Sequence, residues 1–372
     1  MADNCNIDII YAFLFFVFTS LKIKSEFKET KSFKNKKMST TSQNDTLSFP
    51  NFGDIKVSTK TYIAKTNLTL DLEKLFNHLP ITEWIVVPKK RGRKKKNEVV
   101  NPNKDIVPGS IITLKYRDNI RGVDLNSKKN ATKKRGKWFR NSFTVVLAVS
   151  NKNINFKVSQ NGMFQITGCK FDSHAEECIK YIWDYIKDTD DIFTFQRGEM
   201  FETYYIPAMR NIDFDLGFLV DREKLAQYMN RQDQFHSLLE TSFGYTGVNI
   251  KIPINDNIVD LKIKRVTYNS KKNNPWVEHE ATYGEYLDLL PIKEKEKKLK
   301  KDRYNTFLVF HSGKVIMSGM TAGFMKKAYI YFLQIMRTCY EDIREKLDEG
   351  WSESFDEVSD LSDLSEVEVE VS

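Results

Sequence analysis

The sequence predicts an α+β protein: an antiparallel sheet with helices on one face, built from two copies of one unit. Three observations predict it. Alternating, β-branched segments separated by short polar turns recur along the chain. Each half closes on a segment with apolar residues at helical spacing. The hairpin-like stretch LVFHSGKVIMSG (308–319) has an earlier counterpart in FKVSQNGMFQITG (156–168), with Gly162 and Gly168 spaced as Gly313 and Gly319 are.

In chain order, residues 38–53 are polar and expected to lack order. IKVSTKTYIAKTNLTL (55–70) alternates and reads as a strand. DLEKLFNHL (71–79) reads as a short helix with Leu72, Leu75 and Phe76 on one face. The apolar WIVV (84–87) leads into the basic run PKKRGRKKK (88–96), placed in a loop. SIITLKYR (110–117) is a strand, and a second basic loop spans 121–137. SFTVVLAVS, KNINFKVSQ and GMFQITG form a meander. Residues 171–188 are helical, with Ala175, Ile179, Ile182, Trp183 and Ile186 as the apolar stripe.

The pattern then restarts. NIDFDLGFLV (211–220) is a strand and DREKLAQYMNRQ (221–232) a helix. GVNIKIPI (247–254) and IVDLKIKRVTY (258–268) are strands, and IKEKEKKLKKDR (292–303) is a charged loop. TFLVFHSGKVIMSG leads to a helix over 321–336, with Met325, Ala328, Tyr329, Phe332, Ile335 and Met336 buried as core. The expected organisation is an N-terminal extension (1–54), a first repeat with basic loops (55–190), a second repeat (191–340) and an acidic tail (341–372).

The net charge of +8 conceals an asymmetry: ten acidic residues and no Lys or Arg follow Leu347, so the body is far more basic than the whole. A basic body suggests a polyanionic partner. Cys5, Cys169, Cys178 and Cys339 lack any paired spacing, which argues against a zinc site and for reduced intracellular thiols. IIYAFLFFVFTSLKI (9–23) falls short of about 20 clean apolar residues and follows acids rather than bases. With Met38 opening a polar stretch, residues 1–37 are expected to be either an upstream extension that is not translated or a disordered arm, and no membrane contact is expected.

The hairpin raises a question of faces. Residues i and i+2 of a strand share a face. If helices cover Phe307 and Val309, then Leu308 and Phe310 lie on the uncovered side, beside Lys314 and Ile316. Apolar residues on an open sheet face mark an interface; a sheet buried on both faces makes the same residues plain core.

FHSGKVIMSG with its flanking strand and helix resembles the hairpin of the TATA-box-binding protein (TBP) family, roughly F-x-S-G-K-x-V-x-T-G. RNIDFDLGFLVDREKL and SFGYTGVNIKI fit the same family, within it the divergent TBP-like proteins of large nucleocytoplasmic DNA viruses. The resemblance covers roughly 55–340, more clearly in the second repeat. It implies a two-fold pseudo-repeat saddle with helices on the convex face, and a concave sheet on the minor groove of A·T-rich promoter DNA. There, aromatic wedges kink base steps.

Carried over position by position, the resemblance makes Phe310 one wedge and Tyr245 its partner. Leu308, Ile316 and Ser318 line the groove, Lys314 and Lys251 meet phosphates, and Asn211 hydrogen-bonds acceptors near the centre. In the first repeat Thr59 or Ser58 takes the place of the Asn. Val107 stands near one wedge and Val158 or Ser159 near the other. Met163 replaces the Lys, Gln165 replaces the aliphatic residue, and Thr167 is kept. Asp213 brings a carboxylate to the groove. Lys89, Lys90, Arg91, Arg93, Lys94, Lys95 and Lys96 are expected to clamp phosphates or direct nuclear import. The acidic tail is expected either to fold back on the basic body or to recruit transcription partners.

The implied function is a non-enzymatic transcription initiation factor that helps recruit RNA polymerase, acting in a viral factory or the host nucleus and packaged in the virion in one version. Alternatives are a sequence-blind DNA-coating virion protein and an accessory domain of a DNA repair enzyme. No Gly-rich nucleotide loop, metal cluster or nucleophile–base pair is visible, so no cofactor, metal or small-molecule substrate is expected.

Overall fold

The computed structural model describes residues 47–86, 102–125, 141–189, 191–232, 236–240 and 247–346. Residues 1–46, the 88–96 basic run, most of the second basic loop, Tyr245 and the acidic tail beyond Lys346 lie outside the described residues. The expectation that 38–53 lack order needs correction at its end, where Phe49 and Phe52 pack on the second-repeat core and Tyr329 O–H donates to the Pro50 carbonyl.

The first repeat contributes β1 (Val57–Thr66), β2 (Leu68–Leu70), α1 (Leu72–His78), β3 (Ile111–Tyr116), β4 (Asn119–Gly122), β5 (Ser142–Val149), β6 (Lys152–Ser159), β7 (Met163–Cys169) and α2 (Ser173–Ile186). A short β8 (Phe193–Phe195) pairs with β2. The second repeat contributes β9 (Glu202–Asp215), α3 (Arg222–Asn230), β10 (His236–Glu240), β11 (Gly247–Pro253), β12 (Lys262–Tyr268), β13 (Trp276–Thr282), α4 (Tyr283–Asp288), α5 (Ile292–Leu299), β14 (Tyr304–Phe310), β15 (Lys314–Gly319), α6 (Ala322–Thr338) and α7 (Tyr340–Ile343).

One open, curved antiparallel sheet runs in the order β10-β11-β14-β15-β9-β1-β7-β6-β5-β3-β4, with the β12–β13 hairpin attached to β9. Read outward from the central β9·β1 pair, β15, β14, β11 and β10 answer to β7, β6, β5 and β3. The order is therefore a two-fold repeat.

The duplication extends to individual atoms. Asp71 and Asp221 precede α1 and α3, and each carboxylate accepts two backbone N–H bonds of its helix's first turn. Gly162 and Gly313 form the β6–β7 and β14–β15 turns with φ of 72° and 77°. In one repeat Thr66 N–H donates to the Gly162 carbonyl; in the other Leu216 N–H donates to Gly313, both at 2.9 Å. A Cβ on either glycine would come within 2.2 Å of a carbonyl oxygen, that of Leu68 or of Phe218. Only glycine fits such a turn.

Both long helices lie on one face. The α2 stripe of Ala175, Ile179, Ile182, Trp183 and Ile186 packs with Phe156, Phe164 and Val145. The α6 stripe packs with Phe307, Val309, Val315 and Met317, and Phe332 stacks on Phe307 with ring centroids 4.1 Å apart. Two further expectations need correction. The strand placed at 211–220 is β9, which begins at Glu202. The charged segment at 292–303 is not all loop: its first eight residues form α5. No helix among the described residues is long and apolar enough to cross a membrane.

Candidate nucleic-acid interface

The face opposite α2 and α6 is called the inner face here, and strand register assigns residues to it. On β9, Ile212 and Phe214 enter the α6 core, so Asn211, Asp213 and Asp215 face inward. An irregularity against β1 falls between Thr61 and Tyr62, which pair with Met209 and Pro207. The extra residue inverts the alternation on β9. Beyond it Tyr205 joins the α2 core, while Tyr204 and Ile206 face inward with Ile63.

The pairing aligns the inner residues of the second repeat in rows across the strands. Asn249, Leu308, Ile316 and Asp213 form one row; Lys251, Thr306, Ser318, Asn211 and Thr59 form the next. Phe310 stands opposite Gly247 at one end, and Lys314 opposite Asp215. Leu308, Phe310, Ile316 and Ser318 are half-buried and Lys314 is exposed, in contrast to fully buried Phe307 and Val309. The structure thus brings Asn211, Lys251, Leu308, Phe310, Lys314, Ile316 and Ser318 onto one surface. A shallow groove there is lined by Phe310, Ile316, Lys314, Asp213 and Asp215.

The first repeat differs. Thr59, Gln165 and Thr167 share the inner face, with Gln165 between Ile63 and Lys157. Two wedge assignments fail. Val158 pairs with Phe164 and Phe143 and is fully buried in the α2 core, so it points away from the inner face. Val107 precedes β3, the counterpart of β10, whereas Tyr245 precedes β11, and it is 65% exposed in a turn. Counting from the three-residue offset to the turn glycine, Ser159 is the counterpart of Phe310, and it is buried. Counting back from Asp71 and Asp221 makes Thr61, not Thr59, the counterpart of Asn211; Thr59 instead pairs with Asn211 across the two-fold.

Sequence reasoning missed what lies over the first repeat. The chain between β11 and β14 folds back across the inner face. Tyr283, Tyr286 and Leu287 of α4 form a cluster with Ile258, Ile263 and Ala281 on Tyr204 and Ile206, with Ile63 beside it. Tyr204 and Tyr286 have ring centroids 5.7 Å apart. A second cover sits further out, where Trp84 and Ile106 pack on Ile112, Val146 and Ala148. Residues 283–287 carry the signal for α4: apolar spacing i, i+3, i+4 after a Thr282–Glu285 capping box, which the structure forms.

No family model matches the chain. Over 290 residues it is 25% identical to "Uncharacterized protein 335L" of Invertebrate iridescent virus 6, covering 76% of this chain and 84% of that one. Over 225 residues it is 28% identical to the "TATA-box-binding protein-like" protein of Acanthamoeba polyphaga mimivirus, covering 55% of each. This chain resembles a viral TBP-like protein. It spans about half the length of that mimivirus relative. Methanococcus jannaschii TBP overlaps 78% of this chain and 99% of its own, with a TM-score of 0.37 and 14% identity.

Electrostatics divide the sheet further. Under α5, burial pushes the Lys65 ammonium down to about 8, with nearby Arg197 and Lys298 adding to the effect and Glu294 opposing it. Burial likewise lowers Lys298 and Lys301, which lie close to Arg303. On the open part, Asp213 and Asp215 set carboxylates beside Lys314. The Asn211 side-chain oxygen is buried and accepts no hydrogen bond among the described residues. No cluster of His, Cys, Asp and Glu among the described residues has the arrangement of a metal site.

Proposed function

We propose that this protein is a non-enzymatic, TBP-like transcription initiation factor that binds A·T-rich duplex through the minor groove and bends it. The observation that carries the reading is the row of Leu308 and Ile316 with Phe310 beside it. These are apolar side chains on a sheet face that their own helices do not cover, framed by Lys314, Lys251 and Ser318. Minor-groove proteins insert apolar wedges at base steps and take their specificity from A·T-dependent width and flexibility. The mimivirus relative's name supports the same reading. On this reading the factor helps recruit RNA polymerase to promoters in a viral factory or the host nucleus.

A second reading is a sequence-blind DNA-coating protein. It is favoured by Ser159 standing where the first repeat needs a second wedge, and by the carboxylates of Asp213 and Asp215. The test is binding of the full chain to A·T-rich and G·C-rich duplexes carrying dyes at both ends, across a salt series. Preference for A·T with shortened end-to-end distance supports the initiation factor. Equal, unbent, salt-sensitive binding to both supports the coating protein.

A further inference from the structure

We propose that duplex seats on the second repeat's half of the inner face alone, because segments of this same chain stand as fixed walls over the first half. The inference rests on the DNA-binding reading above and specifies which surface that reading uses.

The walls are packed structure rather than loose cover. Leu287 is fully buried, and Tyr283 and Tyr286 nearly so, against Tyr204 and Ile206. The capping box fixes the start of α4, and Lys295 of α5 pairs with Asp288. At the second wall, Ile85 and Asn103 exchange two hydrogen bonds of 2.9 and 2.8 Å, which tie Trp84 and Ile106 together over Val146 and Ala148. Lifting either wall exposes apolar surface on both partners.

What remains open in the first repeat is a strip on β7 and β6 carrying Gln165, Thr167, Asn155 and Lys157. The wall-bearing strands β1 and β5 are three strand spacings apart, about 14 Å, less than the roughly 18 Å of one major and one minor groove side by side. No duplex fits between the walls. The second repeat, by contrast, offers β15, β14, β11 and β10 with the Asn211–Asp215 end of β9, five adjacent strands. At about 4.8 Å per strand and about 3.4 Å per base pair, these span about six base pairs.

The first wall is one insertion, anchored to the sheet edge where β12 pairs with β9. It leaves β11 at Pro253 and returns at Tyr304, and these two residues are direct partners in the β11·β14 ladder.

Hydroxyl-radical footprinting of the full chain on a long A·T-rich duplex tests the proposal. Protection of about six base pairs is expected. The double variant Tyr286→Asp, Leu287→Asp, checked for retained fold by circular dichroism, is expected to lengthen protection toward the first repeat. Wild-type protection near twice the expected length overturns the inference while leaving DNA binding intact. So does a folded variant whose footprint is unchanged. If the variant does not fold, the wild-type footprint decides alone. Absence of protection on every duplex removes the proposed function, and this inference with it.

Discussion

Gly162 and Gly313 occupy the same turn in two copies of one hairpin, yet the faces those hairpins carry meet different surroundings. In the second repeat, Leu308, Phe310 and Ile316 look out from the inner face. In the first, Ile63, Val146 and Ala148 lie under chain from elsewhere in the molecule. The comparison teaches that duplication has kept the parts required to fold, the turn glycines and the Asp caps. It has let the inner surface diverge, where no backbone constraint holds it.

The largest expected effect probes what the repeats share. Gly162→Val and Gly313→Val each force a side chain against a carbonyl oxygen at positive φ. Each is expected to destabilise by about 3 kcal/mol or more, measured by urea denaturation. Similar losses in both repeats uphold the equivalence; a large loss in one and little in the other breaks it.

Next comes what they do not share. Phe310→Ala is expected to weaken binding to A·T-rich duplex about tenfold to a hundredfold, as loss of a central aromatic anchor does. Ser159→Ala, at the counterpart position, is expected to leave affinity unchanged. Equal sensitivity at both positions would show that both halves touch DNA.

How much of this was legible before the structure depends on which contact decided each element. The hairpins, the long helices and the duplication were legible because each rests on local signals, such as the Gly-turn spacing and the stripe from Met325 to Met336. That Leu308 and Phe310 share one face, apart from Phe307 and Val309, followed from strand alternation; that this face lines a groove is only what the family resemblance implies. The first-repeat wedges were not legible. Alternation gives Val158 a face only once the partner strand is known; of the two candidates, Val158 and Ser159, the spacing to the turn glycine Gly162 selects Ser159, and the structure buries Val158 in the α2 core. The cover by α4 was invisible for a different reason. Its capping box and apolar spacing announce a helix, but nothing local says that Tyr286 meets Tyr204, far away in the chain. The same holds for the face inversion on β9, which arises from one extra residue against β1.

A smaller effect concerns how firmly the first repeat is closed. Lys65 has a folded pKa of about 8, below the ordinary lysine value, because burial disfavours its charge. In the unfolded chain it stays protonated to higher pH, so unfolding takes up a proton between about pH 8 and 10.5. Stability contributed at this site is therefore present above that window and lost as pH falls through 8. Lys65→Met is expected to raise the thermal midpoint at pH 7 by a few degrees and to remove this part of the pH dependence, read by scanning at pH 7 and 9.5. Lys65 Nζ donates to the Asn161 carbonyl, so a midpoint lower than wild type at pH 7 would mean that this bond outweighs the burial of the charge.

The smallest expected effect bears on why the second repeat carries carboxylates. Asp213 lies in the row of Leu308 and Ile316, where a duplex would bring phosphates to either side. Two unit charges about 10 Å apart in water repel by about 0.4 kcal/mol. Two flanking phosphates therefore cost about fourfold in affinity, which screening at physiological salt cuts to roughly twofold. Asp213→Asn is expected to tighten binding by that factor, more at low salt, with Phe310-dependence and A·T preference unchanged. If Asp213→Asn instead weakens binding, the carboxylate accepts a hydrogen bond in the complex. The guanine amino group is the donor that the minor groove offers to it, and the second repeat would then read G·C steps where the open apolar row alone predicts A·T.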